Sequence, residues 1–257
     1  MSKKILVIGR GFVGQSIFNA ISKKKLDISI VGSREINETT DNYDFVIYAS
    51  GNSSPRKSSI DPAECLNSNC ISLLAAIQKF KFAHWVLVSS VSVYENSKWE
   101  VLREDDELNI TDKSSIYSAH KILNEIYVKK YIQKFCIMRL SYMYGDLSRK
   151  NIFYDLKIGS NKIFLDVNSI LRPLNINHIS DAVLKVVDDS KVGIYNICNT
   201  NLISIKEILE LKKLDFDFKN ERYINESKIY DAKFLKEFSF TEDKKSLLSS
   251  IGKYINS

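Results

Sequence analysis

The chain has 257 residues, 26% charged and 44% hydrophobic, with a formal net charge of +6. That length suits one large core plus a small lobe. The excess charge is spread as single lysines or short groups such as Lys23-Lys24-Lys25, which suits anionic small molecules and offers no nucleic-acid patch.

No apolar run approaches the ~20 residues needed to span a bilayer, and Met1-Ser2-Lys3-Lys4 leads into a core strand, not a signal peptide. Cys65, Cys70, Cys136 and Cys198 lack CxxC or metal spacing. They read as reduced core thiols, with no metal site, in a cytoplasmic protein. There is no internal repeat, low-complexity tract or linker.

In chain order, Lys4-Ile5-Leu6-Val7-Ile8 is a short apolar, β-branched run and predicts a buried strand. Gly9-Arg10-Gly11-Phe12-Val13-Gly14 follows at once, and Val13, Ile17 and Ile21 then fall at helical spacing. Strand, glycine turn and helix form a dinucleotide fingerprint. The first glycine allows the tight turn, the second lets backbone approach a pyrophosphate, and the third lets helix pack on strand. The helix N-terminus then faces the phosphates.

The second strand, near 28–32, ends at Gly32-Ser33-Arg34, where an NAD-binding chain usually carries Asp or Glu for the ribose. A guanidinium grips a 2′-phosphate in a bidentate way. Arg34, with Arg10 in the glycine loop, therefore favours NADP(H) over NAD. Residues 33–43 are too few for a crossover helix, so a loop or single turn is expected there.

Further strands are predicted near 45–49, 84–90, 135–140 and 194–197. Helices are predicted near 12–24, 61–80, 114–133, 151–158, 179–189, 204–212 and 243–255. This alternation gives the fold class as α/β, a doubly wound parallel sheet. Residues 1–145, with return segments 179–200, make the nucleotide-binding domain. Residues 146–178 and 201–257 make a small substrate lobe.

Tyr117-Ser118-Ala119-His120-Lys121 sits on the long helix near 114–133. A Tyr and a Lys four residues apart share one helix face, and an ammonium beside a phenol favours the phenolate. With the glycine loop before it and Ser89-Ser90-Val91-Ser92-Val93-Tyr94 between, the chain resembles the extended short-chain dehydrogenase/reductase family of nucleotide-sugar epimerases, dehydratases and reductases. Asp44 to Gly51, Asp61 to Ile77, Trp85 to Ser90, Arg139 to Gly145, His178 to Val183 and Gly193 to Ile197 carry the likeness over nearly the whole length.

The resemblance implies a Rossmann domain and assigns roles. Ser90 would hold the substrate carbonyl oxygen, Tyr117 would exchange the proton, and Lys121 would hold the nicotinamide ribose and lower the Tyr pKa. Cofactor contacts are expected from Gly9, Arg10, Gly11, Phe12, Val13, Gly14, Ser33, Arg34, Ala49, Ser50, Gly51, Tyr117, Lys121 and Leu140. Substrate contacts are expected from Ser90, Ser92, Tyr142 and Arg172, the alternative for Arg172 being a surface arginine. Asn69 is read as a backbone anchor, Asn151 as a helix cap and His120 as an exposed bystander.

Departures from the family pattern narrow the reaction. The 4,6-dehydratases carry Asp and Glu just after the catalytic Thr, and here those places hold Val91 and Ser92. Fucose-synthase-like enzymes use a Cys where Ser92 stands. The sequence therefore points to an NADPH-dependent reductase of a nucleoside-diphosphate 4-keto-6-deoxy sugar, made for surface polysaccharide. The alternatives are a nucleotide-sugar 4-epimerase and a non-catalytic NADP-binding sensor. The resemblance implies a homodimer as one assembly open to the chain, since the family's helices at 61–80 and 114–133 often pair into a four-helix bundle.

Overall fold

The computed structural model describes residues 2–24, 26–36, 42–52, 60–97, 101–160, 162–212, 217–223, 229–230 and 242–257, without side chains for 162–164, 217–223 and 229–230. Six strands form one parallel sheet: β1 (Lys4–Ile8), β2 (Asp27–Val31), β3 (Asn42–Tyr48), β4 (Lys81–Ser90), β5 (Phe135–Leu140) and β6 (Gly193–Ile197). Their spatial order is β6-β5-β4-β3-β1-β2. Helices α1 (Phe12–Ser22), α2 (Pro62–Leu66), α3 (Ser72–Lys79), α4 (Ile116–Tyr131) and α5 (Ile152–Lys157) precede α6 (Ile176–Asp189), α7 (Ile205–Glu210) and α8 (Lys244–Ile255).

The near-continuous apolar strands follow from burial on both faces. With a side-chain period of two, Ile5 and Val7 enter a core with Ile17 and Ile21 of α1 and Ile179, Val183 and Val186 of α6. Leu6 and Ile8 enter the opposite core with Leu73 and Ala76 of α3 and Val128 of α4. Each such side chain contributes roughly 1.5–3 kcal/mol by leaving water. The fold is thus a doubly wound Rossmann sheet.

β1 lies between β2 and β3, with α1 after β1 on one face of the sheet and α3 after β3 on the other. That places a crevice at the C-terminal ends of β1 and β3. Backbone bonds close its floor, with Gly9 N to Val31 O at 2.8 Å and Ala49 N to Ile8 O at 2.9 Å. The described part of the β2–β3 connection is a turn at Gly32–Ile36, in which Glu35 N reaches Gly32 O at 3.0 Å. The rest of that connection lies outside the described residues.

Among the boundaries that differ from the sequence reading, where β3 and β4 each start three residues early, two have a visible local cause. α6 begins at Ile176 and not near 179, because the Asn175 side chain caps it by accepting from Asn177 N at 3.0 Å. The helix expected over 61–80 is interrupted by a π turn at Asn67–Ile71. Asn69, inside that turn, bonds the backbone of Asn52 through both side-chain groups and pulls the helix against the crevice loop.

Beyond the sheet, Tyr144, Phe153, Leu156, Leu171, Ile203, Ile208, Leu247 and Ile251 form a separate apolar cluster among α5, α7 and α8. All four cysteines are buried and free. Among the described residues no helix is long and apolar enough to cross a membrane, and no His, Cys, Asp or Glu group could hold a metal.

Candidate active site

The crevice runs from the end of β2 to the first turn of α4. One end is lined by Gly9, Arg10, Gly11, Gly32, Ser33, Arg34, Glu35, Ala49, Ser50 and Gly51. The other end is lined by Phe12, Val13, Val88, Ser89, Ser90, Tyr117, Lys121, Leu140, Ser141, Met143 and Lys150, and Gly11, Ala49, Ser50 and Gly51 belong to both. Gly14 lies beneath, where a Cβ would come within 1.9 Å of Gly9 O. Gly11 differs: a Cβ there meets nothing within 4 Å. It is the N-cap of α1 and no side chain caps that helix end. Open space over an uncapped helix N-terminus fits a pyrophosphate.

The end of β2 differs from the sequence reading, which found no acid there. Glu35 folds back, and its Oε2 accepts from Gly32 N at 3.0 Å and from Arg10 Nη2 at 2.8 Å. The Arg10 bond, with the Gly32 N–H second, lowers the Glu35 carboxyl below its ordinary range. A carboxylate therefore does stand at the strand end, delivered from three positions on. Arg34 sits at the rim, 90% exposed, and reaches Glu64 at 3.2 Å, a pair worth little in water.

The reacting end is assembled by caps. Ser115 caps α4 by accepting from Ser118 N at 3.1 Å, and its own N–H and hydroxyl donate to Glu95 at 2.9 Å each. Ser118 Oγ donates to Ser92 O at 2.8 Å, fastening the Tyr117 turn to the 3₁₀ turn Val91–Tyr94. Ser90 caps that 3₁₀ turn: its Oγ accepts from Ser92 N at 3.2 Å and donates to Ser92 Oγ at 3.0 Å. Tyr117 lines the same end of the crevice. Ser90 thus serves the fold and faces the cleft at once.

Lys121 Nζ donates to Val88 O at 2.9 Å and lies 5.8 Å from the Tyr117 ring centre. Burial lowers its pKa from 10.5 to about 8, opposed by Glu125 and then Cys70. Tyr117 departs from expectation. Burial raises its pKa, and the Ser90 hydroxyl only partly offsets this. The ammonium is turned toward a strand carbonyl, so the expected lowering of the phenol by Lys121 is not what this arrangement gives.

Three of the residues expected at the substrate are outside the lining of the crevice described above. Ser92 sits behind Ser90 as its hydrogen-bond partner. Tyr142 packs against the lobe cluster. Arg172 is neither in the cleft lining nor on the surface; it is 6% exposed, with Nη1 donating to the carbonyls of Asn199 at 3.1 Å and Thr200 at 2.8 Å. Asn151 is the cap of α5, accepting from Phe153 N at 3.1 Å while donating to Met143 O at 2.7 Å. His120 is not exposed; it is half-buried, with Nδ1 3.2 Å from Asn69 Nδ2.

Lining residues missed from the sequence are Gly32 and Glu35 at the adenosine end, and Val88, Ser89, Ser141, Met143 and Lys150 at the other. Period-two alternation from Ser90 and Leu140 would have found Val88, and adjacency the next three; nothing local marks Lys150.

A profile of the NAD dependent epimerase/dehydratase family matches residues 5–172. The chain belongs to that family. It is accordingly an NAD(P)-dependent enzyme, with a nicotinamide dinucleotide as cofactor. A search among curated proteins finds no match.

Solved structures of the same fold include a UDP-N-acetylglucosamine 4-epimerase from Methanobrevibacter ruminantium in complex with UDP-N-acetylmuramic acid. It has TM-score 0.81 and 17% identity, covering 99% of this chain and 97% of that one. A dTDP-4-dehydrorhamnose reductase from Clostridium acetobutylicum has TM-score 0.77 and 18% identity, covering 98% of both. A UDP-glucuronic acid 4-epimerase from Bacillus cereus, in complex with UDP-glucuronic acid and NAD, has TM-score 0.80 and 19% identity, again covering 98% of both. At these identities the likeness is one of fold.

The two glycines separate packing from binding. Gly14→Ala forces backbone apart and should cost about 2–3 kcal/mol, read as a lower urea midpoint. Gly11→Ala should keep that midpoint and weaken dinucleotide binding, because its methyl fills open space. Equal midpoints for the two variants would refute the distinction.

The Lys121 ammonium is present below about pH 8 and is lost as pH rises through that value. Dinucleotide affinity should therefore be highest below that pH and fall above it. Isothermal titration across the range checks this, and Lys121→Met should bind weakly with no such limb.

Proposed function

We propose that the protein is an NADPH-dependent reductase of a nucleoside-diphosphate 4-keto sugar, producing a deoxy-sugar nucleotide of the kind consumed in surface polysaccharide synthesis. The observation that carries this reading is that Ser90, Tyr117 and Lys121 line the same end of the crevice, with Lys121 Nζ 5.8 Å from the Tyr117 ring centre. The dinucleotide, when bound, supplies the hydride. Ser90 is placed to donate to the keto oxygen and to steady the charge that grows there. Tyr117 gives that oxygen its proton, so hydride and proton together saturate the carbonyl.

Its raised pKa keeps the phenol protonated and ready to donate. The two positions after Ser90 carry no carboxylate: Val91 is buried and Ser92 is bonded to Ser90. Elimination across two carbons needs an acid and a base at those places, so dehydration is disfavoured. The lobe of α5, α7 and α8 is read as the part that closes over the sugar nucleotide.

NADPH is preferred because the adenosine end carries two guanidiniums, Arg10 paired with Glu35 and Arg34 with Glu64, next to an uncapped helix end. A 2′-phosphate would take Arg10 from Glu35. The second reading, a 4-epimerase working with NAD, is favoured by that same Glu35, whose carboxylate at the strand end suits a ribose hydroxyl. Glu35→Gln frees Arg10 and should shift preference further toward NADPH, whereas Arg34→Asp should shift it toward NADH. Fluorescence titration with both nucleotides measures this; NADH binding tighter than NADPH in the unmodified protein would favour the epimerase.

The reaction class is decided by stoichiometry. With a panel of dTDP-, GDP-, CDP- and UDP-linked 4-keto-6-deoxy sugars, one equivalent of NADPH absorbance should vanish per product. Tyr117→Phe should slow turnover by roughly 10²–10⁴ with little change in NADPH affinity. Isomerised product from a non-keto sugar nucleotide without cofactor loss would establish the epimerase and overturn the reductase.

A further inference from the structure

Arg139 and Glu125 form a buried ion pair, their side chains 1% and 0% exposed. Arg139 Nε and Nη2 hold the two carboxylate oxygens at 3.0 and 2.7 Å. Glu125 lies one turn beyond Lys121 on α4, so the two share a face. Both reach consecutive residues of β4. Lys121 Nζ donates to Val88 O at 2.9 Å, and Glu125 Oε1 accepts from Ser89 Oγ at 2.7 Å. Ser90 is the next residue. Two bonds from one helix face thus stitch α4 to the strand that carries the reacting serine, and Arg139 holds the stitch from β5.

The charged and titratable groups around Lys121 come from several elements. Its own helix gives Tyr117, His120, Glu125 and Lys129, the last 3.8 Å from Glu125. The π turn gives Cys70, pushed up to about 11 by burial, and the 3₁₀ turn gives Tyr94, pushed up to about 12 by burial. β5 gives Arg139, and Lys150 stands across the cleft. Cys70 and Tyr94 are neutral near pH 7, and His120 is lowered by burial. Glu125 is therefore the carboxylate that offsets burial of the ammonium.

We propose that Glu125 is a positioning residue for Lys121, holding it in its charged form and fixing it relative to Ser90, with Arg139 and Ser89 holding Glu125 in turn. This rests on the reading of Lys121 as the cation of the dinucleotide crevice. The pair is then more than a structural cross-link, because its negative member stands one turn from Lys121 on the same helix face while its positive member comes from β5 and reaches Tyr94.

The test is an NMR titration of ¹³C-labelled lysine side chains in the full chain without nucleotide, with Lys121→Met identifying the signal. Glu125→Gln should move the Lys121 midpoint down by about one pH unit. Ser89→Ala, which removes a hydrogen bond and no charge, should leave it in place. Glu125→Gln strands a buried guanidinium and can unfold the chain. Glu125→Leu with Arg139→Met replaces the pair by apolar groups of similar volume and should give a smaller shift in the same direction.

An unmoved or raised midpoint in a folded variant lacking Glu125 overturns the proposal. A lowered midpoint matched by an earlier fall of NADPH affinity with pH supports it together with the reading on which it rests. A lowered midpoint with affinity flat over the same range supports the coupling and overturns Lys121 as a nucleotide ligand.

Discussion

The charge of Arg139 is the constraint around which the reacting end is organised. It is a fully buried arginine in an otherwise apolar strand, Phe135–Leu140. A buried guanidinium must find carboxylate and acceptor partners or the fold loses several kcal/mol. It takes Glu125 from α4, the Tyr94 hydroxyl from the 3₁₀ turn and the Glu104 carbonyl at 3.2 Å. Tyr94 in turn donates to Asn196 Oδ1 at 2.9 Å, and Asn196 N donates to Glu104 Oε1 at 3.1 Å, which brings in β6. Each element that presents a reacting group is therefore tied to one charge, and the positions of Ser90, Tyr117 and Lys121 are coupled through it.

The crevice divides its tasks by physics. At the glycine end the chain offers backbone: a tight approach at Gly9 and Gly14, open space at Gly11 and an uncapped helix terminus. Those features bind charge through dipoles that cannot titrate. At the reacting end it offers side chains whose ionisation burial has moved, with Tyr117 raised and Lys121 lowered toward neutrality. Both shifts favour the uncharged form of the group, and the phenol stays protonated near pH 7. Between them, the Asn69 clamp on Asn52 holds the shared wall of the two halves, and the π turn is the local distortion that lets it do so.

Much of this was legible in the residues. Alternating apolar runs in β1, β3, β4 and β5 leave one arrangement, because a strand buried on both faces needs helices on both sides. The glycine spacing, the serine at the end of β4 and the Tyr/Lys pair depend on local geometry, a turn or a single helical step, and local geometry is what a sequence states directly. Asn151 as a cap and Asn69 as an anchor were readable for the same reason. Arg139 carried a signal that went unused, an arginine inside an apolar strand that must be paired.

The sequence by itself therefore determined the parallel sheet and the glycine turn after β1, and picked out Ser90, Tyr117 and Lys121, which the fold brings into one lining, since each rests on contacts within a few residues or on a repeating period. Only the tertiary structure decided that Glu35 returns to the end of β2, that Arg172 is held by the carbonyls of Asn199 and Thr200, and that Lys150 reaches the cleft. It also decided the direction of the Tyr117 shift, because desolvation is a sum over neighbours from the whole chain while the Tyr/Lys spacing reports one of them. Charges act through space, and spacing along the chain does not record what folding brings beside them.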